Sequence, residues 1–167
     1  MSEALRSPRP GERRLATARQ VGEGRAAFEA ASRGMLAWRM HGLAGVHVRG
    51  RDGAPPAARE GLVVSVGLGP AALRLAGLCR VERVVAGPTE VAMTYRTLGA
   101  HVEDGVQTFR VTLHDDGTVE GSVASRSRAR RAVLRRLGVL GVLGQQIVAE
   151  RYLMALERLA RAAQDVR

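Results

Sequence analysis

The chain has 167 residues, 46% hydrophobic and 25% charged, a composition that fits one globular domain and excludes a disordered or fibrous chain. Its formal charge is +10, all basic residues are arginine, and aromatics make up only 3%, so the core is drawn mainly from Val, Leu, Ala and Met. The single cysteine, Cys79, excludes an internal disulfide and fits a reducing compartment, where it reads as a small buried apolar residue.

Residues 1–12, with Pro8, Pro10 and Gly11, read as a flexible tail, and 13–167 as one domain. The start has no apolar core of a secretory signal, and the longest apolar stretch, Leu137 to Leu143, is too short to span a bilayer. A cytoplasmic protein without a transmembrane segment is expected. Arginine in place of lysine resembles the product of a GC-rich bacterial genome; the excess over acids raises association with anions.

A short strand is expected around Arg14 to Val21, and Gly22-Glu23-Gly24 opens a helix running to about Met40. Its stripe of Ala27/Phe28, Ala31, Met35 and Trp38 has the spacing of one buried face, and His41-Gly42 ends it. Leu43 to Val48 is a strand, and Arg51 to Glu60 is a surface loop rich in Pro and Gly. Strands follow at Leu62 to Leu68, Leu78 to Ala86, Glu90 to Leu98, Val106 to His114 and Thr118 to Arg126. The last two flank Asp115-Asp116-Gly117, a hairpin turn signal. Ser127 is the expected N-cap of a final helix from Arg128 to Ala163, weakened at Gly138, Gly141 and Gly144. Beyond the weak point Val148, Tyr152, Ala155/Leu156 and Leu159 form its apolar stripe, with Arg151, Glu157, Arg158 and Arg161 on the wet side. Helices at both ends of an antiparallel run predict an α+β fold, a curved sheet of about six to seven strands wrapped on a long C-terminal helix.

Strand alternation gives the inner face. Val81 and Val85 point in, then Val91, Met93 and Tyr95, then Phe109, Val111 and Leu113, then Val119, Gly121 and Val123. Arg80, Glu82, Thr94, Arg96, Arg110, Thr112 and Glu120 point out. This interior is apolar except for Tyr95, with Gln107 and Ser125 near strand ends. It offers no carboxylate or histidine for acid–base work, which favours a binding cavity over a catalytic one, against a plain filled core.

The loop Gly99 to Gly105 sets His101 beside Glu103 and Asp104, either as an imidazole oriented at a pocket mouth or as a solvated turn. The other histidines, His41, His47 and His114, are scattered and lack metal-ligand spacing, so neither a metal nor a cofactor is expected. Gly22-x-Gly24 reads as a helix-opening turn; as a phosphate loop it lacks the third glycine and a Walker lysine. Arg126, Arg128, Arg130, Arg131, Arg135 and Arg136 form the densest charge run, with Arg128, Arg131 and Arg135 on one helical face. They serve either as a weak anion-binding surface for phosphate backbone or anionic membrane, or as a solvated helix start.

Several stretches resemble one family: Val21-Gly22-Glu23-Gly24 through Phe28 to Trp38-Arg39-Met40, Cys79-Arg80-Val81, Tyr95-Arg96-Thr97-Leu98-x-x-His101, and Ser125-Arg126-Ser127 leading to Gln145 and Arg151-Tyr152-Leu153. Together, from about Thr17 onward, they look like the uncharacterised bacterial and plant family DUF1990. The resemblance implies a START-like, helix-grip fold and brings no activity with it. Family members usually read Tyr-Gly-Thr-Leu-Pro-Gly-His-Pro-Glu, then Gly-Glu-Glu. Here Arg96, Gly99, Ala100 and Val102 depart from that pattern, and Val106-Gln107 stand where two acids are usual. Tyr95, His101, Glu103 and Gly105 match it and are site candidates by resemblance.

Three readings of function follow. The leading one is a domain that binds a small hydrophobic or amphipathic molecule between sheet and C-terminal helix, lined by Trp38, Val81, Met93, Tyr95, Phe109, Val111, Val123 and Gln145. The second is a cyclase- or isomerase-type enzyme with Tyr95 as acid and His101 as base, and Glu103 as a further catalytic candidate. The third is an anion-binding adaptor acting through the arginine run.

Overall fold

The computed structural model describes residues 12–68, 75–99, 103–129 and 138–163. Along the chain come β1 (Glu12–Glu23), α1 (Gly24–Leu36), α2 (Arg39–Leu43), β2 (Val46–Arg49), β3 (Val63–Leu68), β4 (Leu75–Ala86), β5 (Glu90–Thr97), β6 (Glu103–Leu113), β7 (Thr118–Ala129) and α3 (Gly138–Arg161). The strands make one curled antiparallel sheet in the order β1-β7-β6-β5-β4-β3-β2. The helical pair α1–α2 thus carries the chain from one edge of the sheet to the other.

Asp-Gly chemistry forms the β6–β7 hairpin as the sequence predicts. Gly117 has φ 86°, and the Asp116 carboxylate accepts the Thr118 N–H at 2.8 Å. The same turn seats α1, because the Gly117 carbonyl accepts the Gly24 N–H at 2.8 Å. The stripe predicted for the last helix is also present. Ala149, Tyr152, Leu153, Ala155, Leu156, Leu159 and Ala160 are buried against sheet and α1, while Arg151, Arg158 and Arg161 face water.

Three expectations are corrected. The first helix does not run on to Met40. Trp38 adopts a left-handed φ of 63°, which separates α1 from α2 and turns Met40 and His41 into the core. That backbone costs a non-glycine residue about 1–2 kcal/mol. Burial of the indole offsets it, as does the 2.9 Å hydrogen bond from Trp38 Nε1 to the Pro56 carbonyl.

Val85 is not an inward residue. The β4–β5 register shifts between Val81 and Arg83, so Val84 takes the place opposite Met93, and Val85 pairs with Ala92 on the other face. Val84 accordingly packs on the core.

Ser127 does not cap a helix, and Arg128 is not helical. Both lie in β7, which pairs with β1 on one side and β6 on the other along its whole length. Two neighbouring strands meet the backbone N–H and C=O groups there, an outcome that single-segment propensity does not contain.

The core lies between the concave face of the sheet and the three helices. Its largest fully buried side chains are Phe109, Met35, Met40, Met93, Leu153, Leu156 and His41. Arg96–Glu82 and Arg110–Glu90 pair on the outer face at 2.6 and 3.5 Å.

Candidate ligand-binding site

Inward alternation on β5 and β6 brings Tyr95 and Phe109 to the concave face, α3 supplies Tyr152, and the turn at Trp38 delivers Trp38 and His41 from above. His41 lies at the centre. Its ring centroid is 5.0 Å from Trp38, 5.1 Å from Phe109, 5.1 Å from Tyr152 and 5.9 Å from Tyr95. Phe109 joins Tyr152 at 4.8 Å and Tyr95 at 5.6 Å. A protein with few aromatics has gathered most of them around one imidazole.

That imidazole is 0% exposed, and neither Nδ1 nor Nε2 has a hydrogen-bond partner among the described residues. The Ser32 hydroxyl on α1 is the only other buried side-chain group there in the same condition. Ring faces take an imidazole N–H weakly, but they offer no donor to the second, lone-pair nitrogen. Burial pulls the imidazolium down to a pKa of about 3, so His41 is neutral at physiological pH. It presents one donor and one acceptor.

The other polar groups of the site are also held neutral. Burial raises the Tyr95 phenol well above its ordinary range, and it raises Tyr152 too; the two hydroxyls are close enough that each affects the other's ionisation. Burial also pushes the Cys79 thiol up to about 11, which bears out its reading as an inert core residue. The Tyr95 phenol is therefore protonated and able to donate a hydrogen bond. Its hydroxyl donates to Gln107 Oε1 at 3.1 Å, at a position where the family pattern carries an acid.

Beyond Tyr95 the concave face becomes polar. Gln145 Nε2 donates to Ser127 Oγ at 3.0 Å. Thr97 Oγ1 accepts the Gly105 N–H at 2.8 Å. Gly105 has a packing reason to be glycine, since a Cβ there would stand 2.9 Å from the Arg126 carbonyl oxygen. The site thus has an apolar, aromatic inner part and a half-buried polar end made of Gln107, Ser125 and Gln145.

Of the lining residues named from the sequence, Trp38, Val81, Met93, Tyr95, Phe109, Val111 and Val123 are buried together in this core, and Gln145 stands at its polar end. His101, Arg131 and Arg135 lie outside the described residues. Glu103 opens β6 opposite Ala129, and Arg128 lies opposite Glu12 and Asp104. His41 and Tyr152 join the site without having been expected there from the sequence. The sequence carries no local signal for His41, because the helical spacing that would place it is interrupted by the left-handed turn at Trp38.

A seven-strand antiparallel sheet curled on a C-terminal helix, with an aromatic interior between them, is a helix-grip fold, START-like in the arrangement of its elements. The profile of the family described as Domain of unknown function (DUF1990) matches residues 2–155, and the chain belongs to that family. Similar solved structures include Ara h 8.0201, with TM-score 0.58 and 13% identity over 91% of this chain and 99% of its own. Truncated norcoclaurine synthase from Thalictrum flavum has TM-score 0.56 and 10% identity over 87% and 92%. The major latex-like protein 151 of Panax ginseng has TM-score 0.52 and 12% identity over 86% and 96%. At these identities the likeness is one of fold. No curated protein matches the sequence.

Proposed function

We propose that the domain binds a small, uncharged amphipathic molecule inside the cluster around His41. The carrying observation is the pair of unmatched ring nitrogens at the centre of an aromatic core. Leaving such a group unsatisfied costs about 1–3 kcal/mol, and a ligand hydroxyl or amide N–H placed on the lone-pair nitrogen removes that cost. Its apolar body would replace ring contacts with ring contacts. Among the described residues no Asp, Glu, Lys or Arg is buried in the core, so an ionised ligand would enter without a counter-charge.

Trp38 and Tyr95 are each 4% exposed, buried like the rest of the cluster. Trp38 is the sole tryptophan and touches His41, which makes its emission the natural probe. Titration with neutral aromatic alcohols should shift Trp38 emission saturably in the wild type and much more weakly in His41→Phe. A saturable shift of equal strength with an aromatic carboxylate would contradict the neutral-ligand reading.

A further inference from the structure

The outer face of α3 is built unlike an ordinary solvated helix face. Ile147 is 53% exposed and Met154 is 46% exposed, one above the other at i and i+7. Between and beyond them, at i+4 and i+11, stand Arg151 and Arg158, both exposed and neither with an acidic partner among the described residues. The carboxylates of this helix lie to one side, where Glu150 and Glu157 face Arg19 on β1, and Glu157 also pairs with Arg161. Helix α2 extends the same surface. A Cβ at Gly45 would stand 4.0 Å from Arg151 Nη1, and just before it Leu43, 47% exposed, and Arg39 share one face of α2.

We infer that this face, Leu43, Ile147 and Met154 interleaved with Arg39, Arg151 and Arg158, docks on an anionic lipid bilayer. Large apolar side chains set among arginines that have no acidic partner among the described residues match an interface with acyl chains below and anionic headgroups at the guanidinium level. A nucleic-acid backbone would use the arginines but gives Ile147 and Met154 nothing to enter. A second copy of the chain would set arginine against arginine. The net charge of +10 acts in the same direction.

The test is co-sedimentation of the full chain with vesicles of phosphatidylcholine alone and of phosphatidylcholine mixed with phosphatidylglycerol. Binding to the mixed vesicles only, weakening as salt is raised, is the expected result. Ile147→Ser with Met154→Ser leaves the charge unchanged and should weaken vesicle binding by roughly tenfold or more, with thermal stability preserved because both sites are exposed. Arg151→Gln with Arg158→Gln should do the same. Absence of binding to the mixed vesicles at low salt would overturn the inference. So would vesicle binding that survives both double variants, or tighter binding to duplex DNA than to vesicles.

Discussion

At the scale of single residues His41 is the centre of the site. The unfolded chain protonates this imidazole near pH 6.5, the folded chain only near pH 3. Between these values the unfolded state binds more protons, so the stability His41 allows is complete above pH 6.5 and falls as pH drops, by about 1.4 kcal/mol per unit. His41→Phe removes both that coupling and an unsatisfied buried group. Urea unfolding at pH 7 should show the variant about 1–3 kcal/mol more stable, with a flatter stability profile between pH 6.5 and pH 4. A loss of stability in both His41→Phe and the smaller His41→Leu would mean that the imidazole is satisfied within the fold, since overpacking by the larger ring affects only the first. Tyr95 was legible in the sequence because strand alternation and the Tyr-x-Thr-Leu motif both single it out. His41 was not, because its burial depends on one left-handed residue, Trp38, a conformation that a tryptophan adopts only where tertiary contacts hold it.

At the scale of elements the decisive contact is the crossing of α1 on α3. Gly34 is buried there, and a Cβ would come within 2.6 Å of Leu159 Cδ1 and 3.1 Å of its Cγ, so the whole isobutyl group would have to move. Helix propensity alone would make Gly34→Ala stabilising by about 1 kcal/mol. Packing predicts the opposite sign, a loss of about 1–3 kcal/mol, and thermal unfolding of the variant decides between them. The strands themselves were legible because their alternation and their Gly/Pro and Asp-Gly stops are local signals. The β4 bulge was not, since its one-residue slip reveals itself only against β5, and it turns Val84 in and Val85 out. The strand identity of Ser127 and Arg128 was hidden for the same reason: pairing with β1 and β6 comes from distant parts of the chain.

At the scale of the whole molecule, the order of elements already pointed to a sheet wrapped on a terminal helix, and the fold bears that out, as the family match bears out the resemblance read from the motifs. The placement of β1 beside β7, with the helical pair crossing to the far edge, required tertiary structure. The result is a closed, neutral, aromatic interior within a strongly cationic surface, consistent with a protein that binds an uncharged molecule inside while its exterior meets anions. Native mass spectrometry of the wild type and of His41→Phe, each purified from its expressing cells, shows whether a molecule is held at His41. A discrete added mass on the wild type, released on denaturation and absent from the variant, is the predicted result. Bare protein in both, or the same added mass in both, would contradict it.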